Sequence, residues 1–462
     1  VQHNMQAMNA NRMLNVTTSA QSKSTEKLSS GYRINRAADD AAGLTISEKM
    51  RKQIRGLDQA STNAEDGVSS VQTAEGALTE VHSMLQRMNE LATQAANGTN
   101  SKDSDRQAIQ DEIDQLTTEI DRVSETTKFN ETYLLKGDKG ATKNVFMNGH
   151  DAGLKGTLTD SAKSATFVMD ELKAGDKVTI AGKEYSIGST DADIKTALTK
   201  FATAGNEVTI DGNSYTYKDA DGGKAAGWYK DGDQTNGTAL APDTAIKVGT
   251  KASINGTDYT AMDENNGVDK DDSSIITADK ALDLIKGELT AANNIGTVDH
   301  KATVEDPATA NGKTTFTINK GYATVADTLS FNLHVGADAD MTNKINVNID
   351  SMDSASLGIK GLNIKDDSGN AATYAVDAIS DAISKVSSQR SSLGAVQNRL
   401  EHTINNLDNV VENTTTAESR IRDTDMASEM VNYSKNNILA QAGQSMLAQA
   451  NQSNQGVLSL LQ

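Results

Sequence analysis

Cysteine is absent from this 462-residue chain, proline occurs only at Pro242 and Pro307, and aromatic residues make up 4% of it. Without cysteine there is no disulfide framework, no thiolate zinc site and no thiol nucleophile. No apolar run approaches the roughly 18 residues that a membrane-spanning helix needs, so no membrane insertion is expected. Positive charge is also short, with 44 Lys+Arg against 63 Asp+Glu and a formal net charge of −19. Such a chain is repelled by nucleic-acid phosphate, and no nucleic-acid partner is expected. The first residues, Val1-Gln2-His3-Asn4-Met5, lack the basic stretch and apolar block of a cleaved signal peptide. The expectation is a protein that stays inside or leaves by a route that reads something else.

What is there divides into three parts. Residues 1–140 hold 16 Lys+Arg and 20 Asp+Glu, residues 141–360 hold 21 and 32, and residues 361–462 hold 7 and 11. Most of the acidity therefore belongs to the middle. Arginine marks the same boundary, because after Arg122 the next is Arg390. The outer parts resemble each other and differ from what lies between them.

The outer parts carry heptads. Steps of four and three from Ile379 land on Ile383, Val386, Arg390, Leu393, Gln397, Leu400, Ile404, Leu407 and Val411. Leu78, Val81, Leu85, Met88, Ala92 and Ala95 keep the same alternation, as do Ile109, Ile113, Leu116, Ile120 and Val123. So narrow a stripe predicts a coiled-coil seam, with an ordinary amphipathic helix of a bundle core as the competing reading. Between the two N-terminal seams, Gly98 is expected to end one helix and the polar residues after it to cap the next. The extreme ends also read as helical, carrying sparse apolar residues that include Met5, Leu14 and Leu28 at one end and Ile438, Leu447 and Leu458 at the other. Neither can bury its stripe alone, so the two ends are expected to need each other, or other copies, to fold.

The middle predicts small β units. Val178–Ile187 is echoed by Val208–Tyr217 and by Ala252–Thr260, each alternating around a central Gly. The Asp-Gly and Asn-Gly pairs among them are strong two-residue hairpin signals. Helical stretches are expected near Asp193–Phe201 and Ala278–Leu289, giving repeated hairpin-plus-helix modules. Chemical sites are thin: six scattered His, no His-Glu-x-x-His pair, no phosphate-cradling loop and no nucleophile elbow. Calcium loops starting at Asp231 or Asp269 end in Pro242 or Lys280, where a bidentate Glu is required. The expectation is a protein with no enzymatic activity, no cofactor and no metal.

Several stretches carry a family likeness: Leu28-Ser29-Ser30-Gly31-Tyr32-Arg33-Ile34-Asn35, Asp39-Asp40-Ala41-Ala42-Gly43-Leu44, Leu85–Ala92, Ser391–Leu400 and Ala448–Gln452. In these, over roughly residues 1–140 and 328–462, the chain resembles the bacterial flagellins. The resemblance implies a mainly α fold with a β-rich insertion. Residues 1–40 and 421–462 would pair into an inner coiled coil, and residues 41–168 and 328–420 would form a helical-bundle shell with short β segments. Residues 169–327 would be a variable outer α+β domain. It implies a structural subunit that polymerises into the filament for swimming motility, with Met5, Leu14, Leu28, Ile438, Leu447 and Leu458 expected at assembly contacts. A hook–filament junction or cap-associated protein is the alternative, and an enzyme in the insertion would need a catalytic cluster that is not found. The implied partners are other flagellin subunits, the flagellar cap, junction proteins and an export chaperone. The implied location is extracellular, reached by type III export without a cleaved signal. A host Toll-like receptor is implied too, with Arg87, Leu91 and Glu112 at the core of its surface, Leu91 serving as an apolar knob. Asn89 departs from the basic residue that many receptor-activating flagellins have there.

Overall fold

The computed structural model describes residues 4–101, 103–296 and 299–459, the side chains of Asp243 and of residues 454–459 excepted. Its helices are α1 (Met5–Ser30), α2 (Ala41–Ala95), α3 (Asp105–Thr126), α4 (Asp191–Phe201), α5 (Pro242–Ala245), α6 (Ala278–Asn294), α7 (Ser354–Leu357), α8 (Asn370–Arg422) and α9 (Met426–Ser459). Between α3 and α8 lie the β-strands. The chain is thus mainly α with a β-rich insertion.

Two compact units result. One comprises residues 1–72, 331–347 and 394–462, and the other residues 73–330 and 348–393. This is not the expected three-part division, because α2 and α8 each contribute to both units. The expected boundary at 168/169 also falls inside a strand: Ser164–Asp170 pairs with Thr157–Asp160 on one side and Lys313–Asn319 on the other. Cutting there would break a continuous ladder, so the β-rich part begins earlier.

In the first unit α1 lies antiparallel to α9. Asn4 Nδ2 donates to the Ala450 carbonyl at 3.1 Å, near one end. At the other end Arg33 N donates to Arg422 O at 2.6 Å and Thr424 N to Gly31 O at 3.0 Å. A separate apolar core of Ala64, Val335, Ile345 and Leu400, flanked by Val68, Leu333, Val396 and Ile404, joins α2 and α8 to short strands.

In the second unit the α2 seam is dry. Leu78, Val81, Leu85, Met88, Ala92 and Ala95 are all 0% exposed. Burying each large side chain of this kind stabilises by about 1.5–3 kcal/mol. The α8 heptad needs a correction of phase. Ile379, Val386, Leu393, Leu400 and Leu407 are buried as expected, but the alternate positions are Ala375, Ala382 and Gln389 rather than Ile383, Arg390 and Gln397. Gln389 is accommodated because its Nε2 donates to the Asn348 carbonyl at 3.0 Å, while Arg390 reaches Glu75 at 3.7 Å.

The turn after α2 also differs from expectation. The helix ends at Ala95 rather than at Gly98, although the expected capping by the polar residues that follow does occur: Ser101 Oγ accepts from Ser104 N at 3.3 Å and Asp105 N at 3.4 Å, and Asp105 Oδ2 accepts from Ser101 N at 2.9 Å. The carbonyls at the end of α2 are met instead by Arg106, 1% exposed, whose Nε donates to Ala95 O at 2.9 Å and whose Nη2 donates to Asn97 O at 3.3 Å. A cation placed there also suits the negative end of the helix dipole.

The three expected hairpins form: Lys177–Ile180 with Lys183–Ile187, Glu207–Ile210 with Asn213–Lys218, and Lys251–Ile254 with Thr257–Thr260. Each turns on two residues of positive φ, 53° and 77° at Ala181-Gly182, 47° and 78° at Asp211-Gly212, 50° and 76° at Asn255-Gly256. This is the type I′ geometry that matches strand twist. The expected modules, however, are interleaved. The helix that follows the first hairpin, α4, puts Ile194 and Leu198 against Val208, Ile210, Trp228 and Ile254 of the later hairpins. The helix that follows the third, α6, puts Ala281, Ile285 and Leu289 into the core with Ile180, Ile187, Phe167 and Phe316. Each helix covers the other module's sheet.

Candidate assembly and recognition surfaces

Among the half-buried and buried positions of α1, Ala7, Ala10, Leu14, Thr17, Gln21, Ser24 and Leu28 follow one another in steps of three and four. On α9 the same spacing runs through Tyr433, Asn436, Ala440, Gly443, Leu447 and Ala450. The α1–α9 seam is therefore a heptad of mostly small side chains. At Gly443 a Cβ would stand 3.3 Å from Leu14 Cδ1, so the missing side chain lets the helices approach.

Most of the large apolar residues point elsewhere. Met5 (74%), Met8, Met13, Val16, Met430, Val431, Ile438 (67%), Leu439 and Met446 are all exposed. Among the expected assembly residues, Leu14, Leu28 and Leu447 thus sit half-buried in the chain's own seam, and Met5 and Ile438 stand on its outside. Leu458 lies in α9, among the residues whose side chains are not described. The seam was missed because its Ala, Ser, Thr and Gly carry little hydropathy; the strict spacing of those small residues was the available signal.

Where the two helices join the rest of their unit, the residues of the Gly31–Asn35 stretch make a clasp. The Arg422 guanidinium lies 4.8 Å from the Tyr32 ring centre and Nη1 is 2.8 Å from Glu48 Oε1. Arg33 Nη2 donates to the Ile421 carbonyl at 2.6 Å. Ser47, fully buried, donates to Glu418 at 2.7 Å. None of these roles was read from the sequence.

On the helical surface of the second unit, Arg87 donates through Nε to Glu112 at 2.8 Å and through Nη1 to Glu90 at 3.2 Å. Glu112, then Glu90, hold the guanidinium above its ordinary value. Arg87 and Glu112 are about half exposed, 50% and 45%. Leu91 corrects the expectation of an apolar knob: it is 2% exposed, its side chain committed to the core beside the seam. Asn89 is half-buried and its Oδ1 has no hydrogen-bond partner.

At the base of the insertion, in the same unit, His150 Nε2 is 3.4 Å from Asp381 Oδ2 and the Tyr374 hydroxyl donates to Glu288. Partial loss of water pushes the Asp377 carboxyl up, His150 opposes this, and Asp151 and Asp381 add to it. Among the described residues no group of three or more His, Asp or Glu is disposed to hold a metal ion. No described helix is long and apolar enough to cross a membrane. The Asp-rich loop at Asp269 spends its carboxylate on the backbone N–H groups of Asp271 and Asp272.

Comparison with known proteins adds a family. Residues 1–140 match the bacterial flagellin N-terminal helical region, and residues 376–461 the bacterial flagellin C-terminal helical region. The chain is 40% identical over 469 residues to a flagellin of Clostridium tyrobutyricum, covering 98% of this chain and 100% of that one. To the flagellin of Bacillus subtilis strain 168 it is 35% identical over 465 residues, covering 100% and 99%. The solved structure of FliC from Burkholderia pseudomallei aligns with 72% of this chain and 99% of its own at 20% identity, with a TM-score of 0.26.

Proposed function

The chain belongs to the bacterial flagellin family, and from that premise we propose that the outward faces of α1 and α9 are the surface through which its copies join. The protein is a structural subunit of the bacterial flagellar filament, an extracellular appendage. One observation carries the proposal for the surface: the pair closes its own seam with small residues and leaves Met8, Val16, Val431, Ile438 and Leu439 to solvent. An apolar face of this kind on a polymerising subunit belongs against another subunit. Its faces take their burial from neighbours, because most of the stability of a helix in a protein comes from packing of its apolar face.

The test is seeded polymerisation of Ile438→Asp and Met8→Asp variants. Both side chains are exposed, so monomer melting stays within the ordinary surface range of about ±0.5 kcal/mol, while elongation is lost. Normal filaments from both variants would overturn the proposal. Relatives matching end to end carry the name flagellin, and the junction or cap-associated role has no comparable support. The cap, junction proteins, an export chaperone and type III export belong to the same reading of a filament subunit.

A second surface is proposed at Arg87 and Glu112 for the host Toll-like receptor. Its support is an exposed guanidinium fork beside carboxylates, the chemistry of a binding hot spot. Leu91 supports that surface from beneath. Arg87→Ala is expected to weaken receptor binding with little change in melting, and unchanged binding by both Arg87→Ala and Glu112→Ala would remove the assignment.

A further inference from the structure

Methionine is sorted by the fold. Of the 14 methionines, Met88, Met147, Met169, Met262 and Met352 are at most 9% exposed, and Met50 and Met84 are half-buried. The other seven are 48–74% exposed, and six of them lie on α1 and α9: Met5, Met8, Met13, Met426, Met430 and Met446. None of the six occupies the small-residue seam of Ala7, Ala10, Leu14 and their counterparts. The sulfur atoms are therefore concentrated on the face that the filament has to cover, and kept away from the contact that holds the two helices together.

A thioether differs from leucine or valine in that its sulfur is a nucleophile toward peroxide. The sulfur attacks one peroxide oxygen, the O–O bond breaks, and after proton transfer the departing oxygen leaves as water. The sulfur is oxidised by two electrons to the sulfoxide and the peroxide is reduced to water. A flexible apolar side chain becomes a polar one.

We propose that Met5, Met8, Met13, Met426, Met430 and Met446 form an oxidation-sensitive face at which hydrogen peroxide reversibly blocks polymerisation of free subunits. The proposal rests on the reading of the outward α1–α9 face as the joining surface. Sulfoxides there place polar S=O groups where apolar surface has to be buried without partners, which costs free energy at each contact. The fold of the single chain is untouched, because the seam holds no methionine. Subunits already in the filament are protected by the neighbours that cover them. Methionine sulfoxide reductases acting on both epimers return the face to its apolar form.

The experiment compares the full-length monomer before and after hydrogen peroxide, quenched with catalase. Peptide mass mapping is expected to find sulfoxide at the six positions before the five buried methionines, with an unchanged melting curve. Seeded elongation is expected to fall by about tenfold or more, equivalent to about 1.4 kcal/mol, and to recover after treatment with the two reductases. A variant with all six replaced by Leu, measured against its own untreated elongation rate, is expected to show no fall after peroxide, and Met341→Leu is expected to leave the wild-type response unchanged. Oxidised monomer that elongates at the normal rate overturns the proposal, as does peroxide blocking the six-leucine variant. The Ile438→Asp variant keeps the two readings apart: if it still fails to elongate, the joining surface stands although the oxidation proposal has fallen.

Discussion

Two helical seams in this chain share a spacing and differ in what they bury. Along α2 in the second unit, Leu78, Val81, Leu85 and Met88 are completely enclosed, and the large side chains point inward. Along α1 and α9 many inward positions are Ala, Thr, Ser and Gly, with Leu14, Leu28 and Leu447 among them, and most of the large apolar side chains point outward. A heptad alone therefore does not say where apolar surface goes. The first seam completes its burial within one chain, and the second, on the proposed joining surface, leaves its burial to other chains.

The sharpest way to break that comparison is to truncate one large residue on each side of it. Leu85→Ala leaves a cavity in a fully buried position and is expected to cost about 2–5 kcal/mol, read as a fall in monomer melting. Ile438→Ala, at 67% exposure, is expected to leave monomer melting unchanged within about 0.5 kcal/mol and to slow elongation. Equal losses of melting at the two positions would show that α9 is held by more than its small-residue seam.

A second test addresses the seam itself. Gly443→Leu puts a side chain where even a Cβ would press on Leu14. Overpacking of this kind typically costs about 1–3 kcal/mol. The effect is expected as faster amide exchange in residues 5–30, with residues 74–95 unchanged. No change in exchange over 5–30 would show that close approach at Gly443 does not hold the pair.

Much of this was legible in advance. The Asp-Gly and Asn-Gly pairs located two of the hairpin turns because those residues adopt positive φ at little cost, and Ala181-Gly182 followed by homology of pattern. The α2 seam was legible because every buried position is apolar. The α8 seam was read half out of phase because Gln389 looks like a surface residue until its partner, the Asn348 carbonyl, is known. The α1–α9 seam hid behind side chains of low hydropathy, and the exchange of α4 and α6 between modules depends on tertiary packing that no local pattern encodes. Arg106 and Arg422 were unreadable for the same reason, since carbonyls and an aromatic ring from distant segments define their roles. At the proposed recognition surface, Arg87 and Glu112 were placed near each other by the resemblance, but the burial of Leu91 was not foreseen.

The smallest expected effect lies at the base of the insertion, where a charge rather than a packing contact is at stake. Asp377 keeps contact with solvent, yet neighbouring protein displaces part of its water and raises its carboxyl above the ordinary 3.8, against the pull of His150 and with the push of Asp151 and Asp381. A raised folded-state value means that the folded chain holds its proton more tightly than the unfolded chain does. Stability is then lost as pH rises through the interval between the ordinary and the raised value, and the full cost is present at neutral pH. Asp377→Asn removes that cost, so it is expected to raise the melting temperature slightly at pH 7 and to leave it unchanged at about pH 3, where the wild-type carboxyl is protonated in both states. A drop at pH 7 would mean that attraction to His150 outweighs the loss of water. The α8 face toward the insertion would then be held by charge, unlike the dry seam on α2.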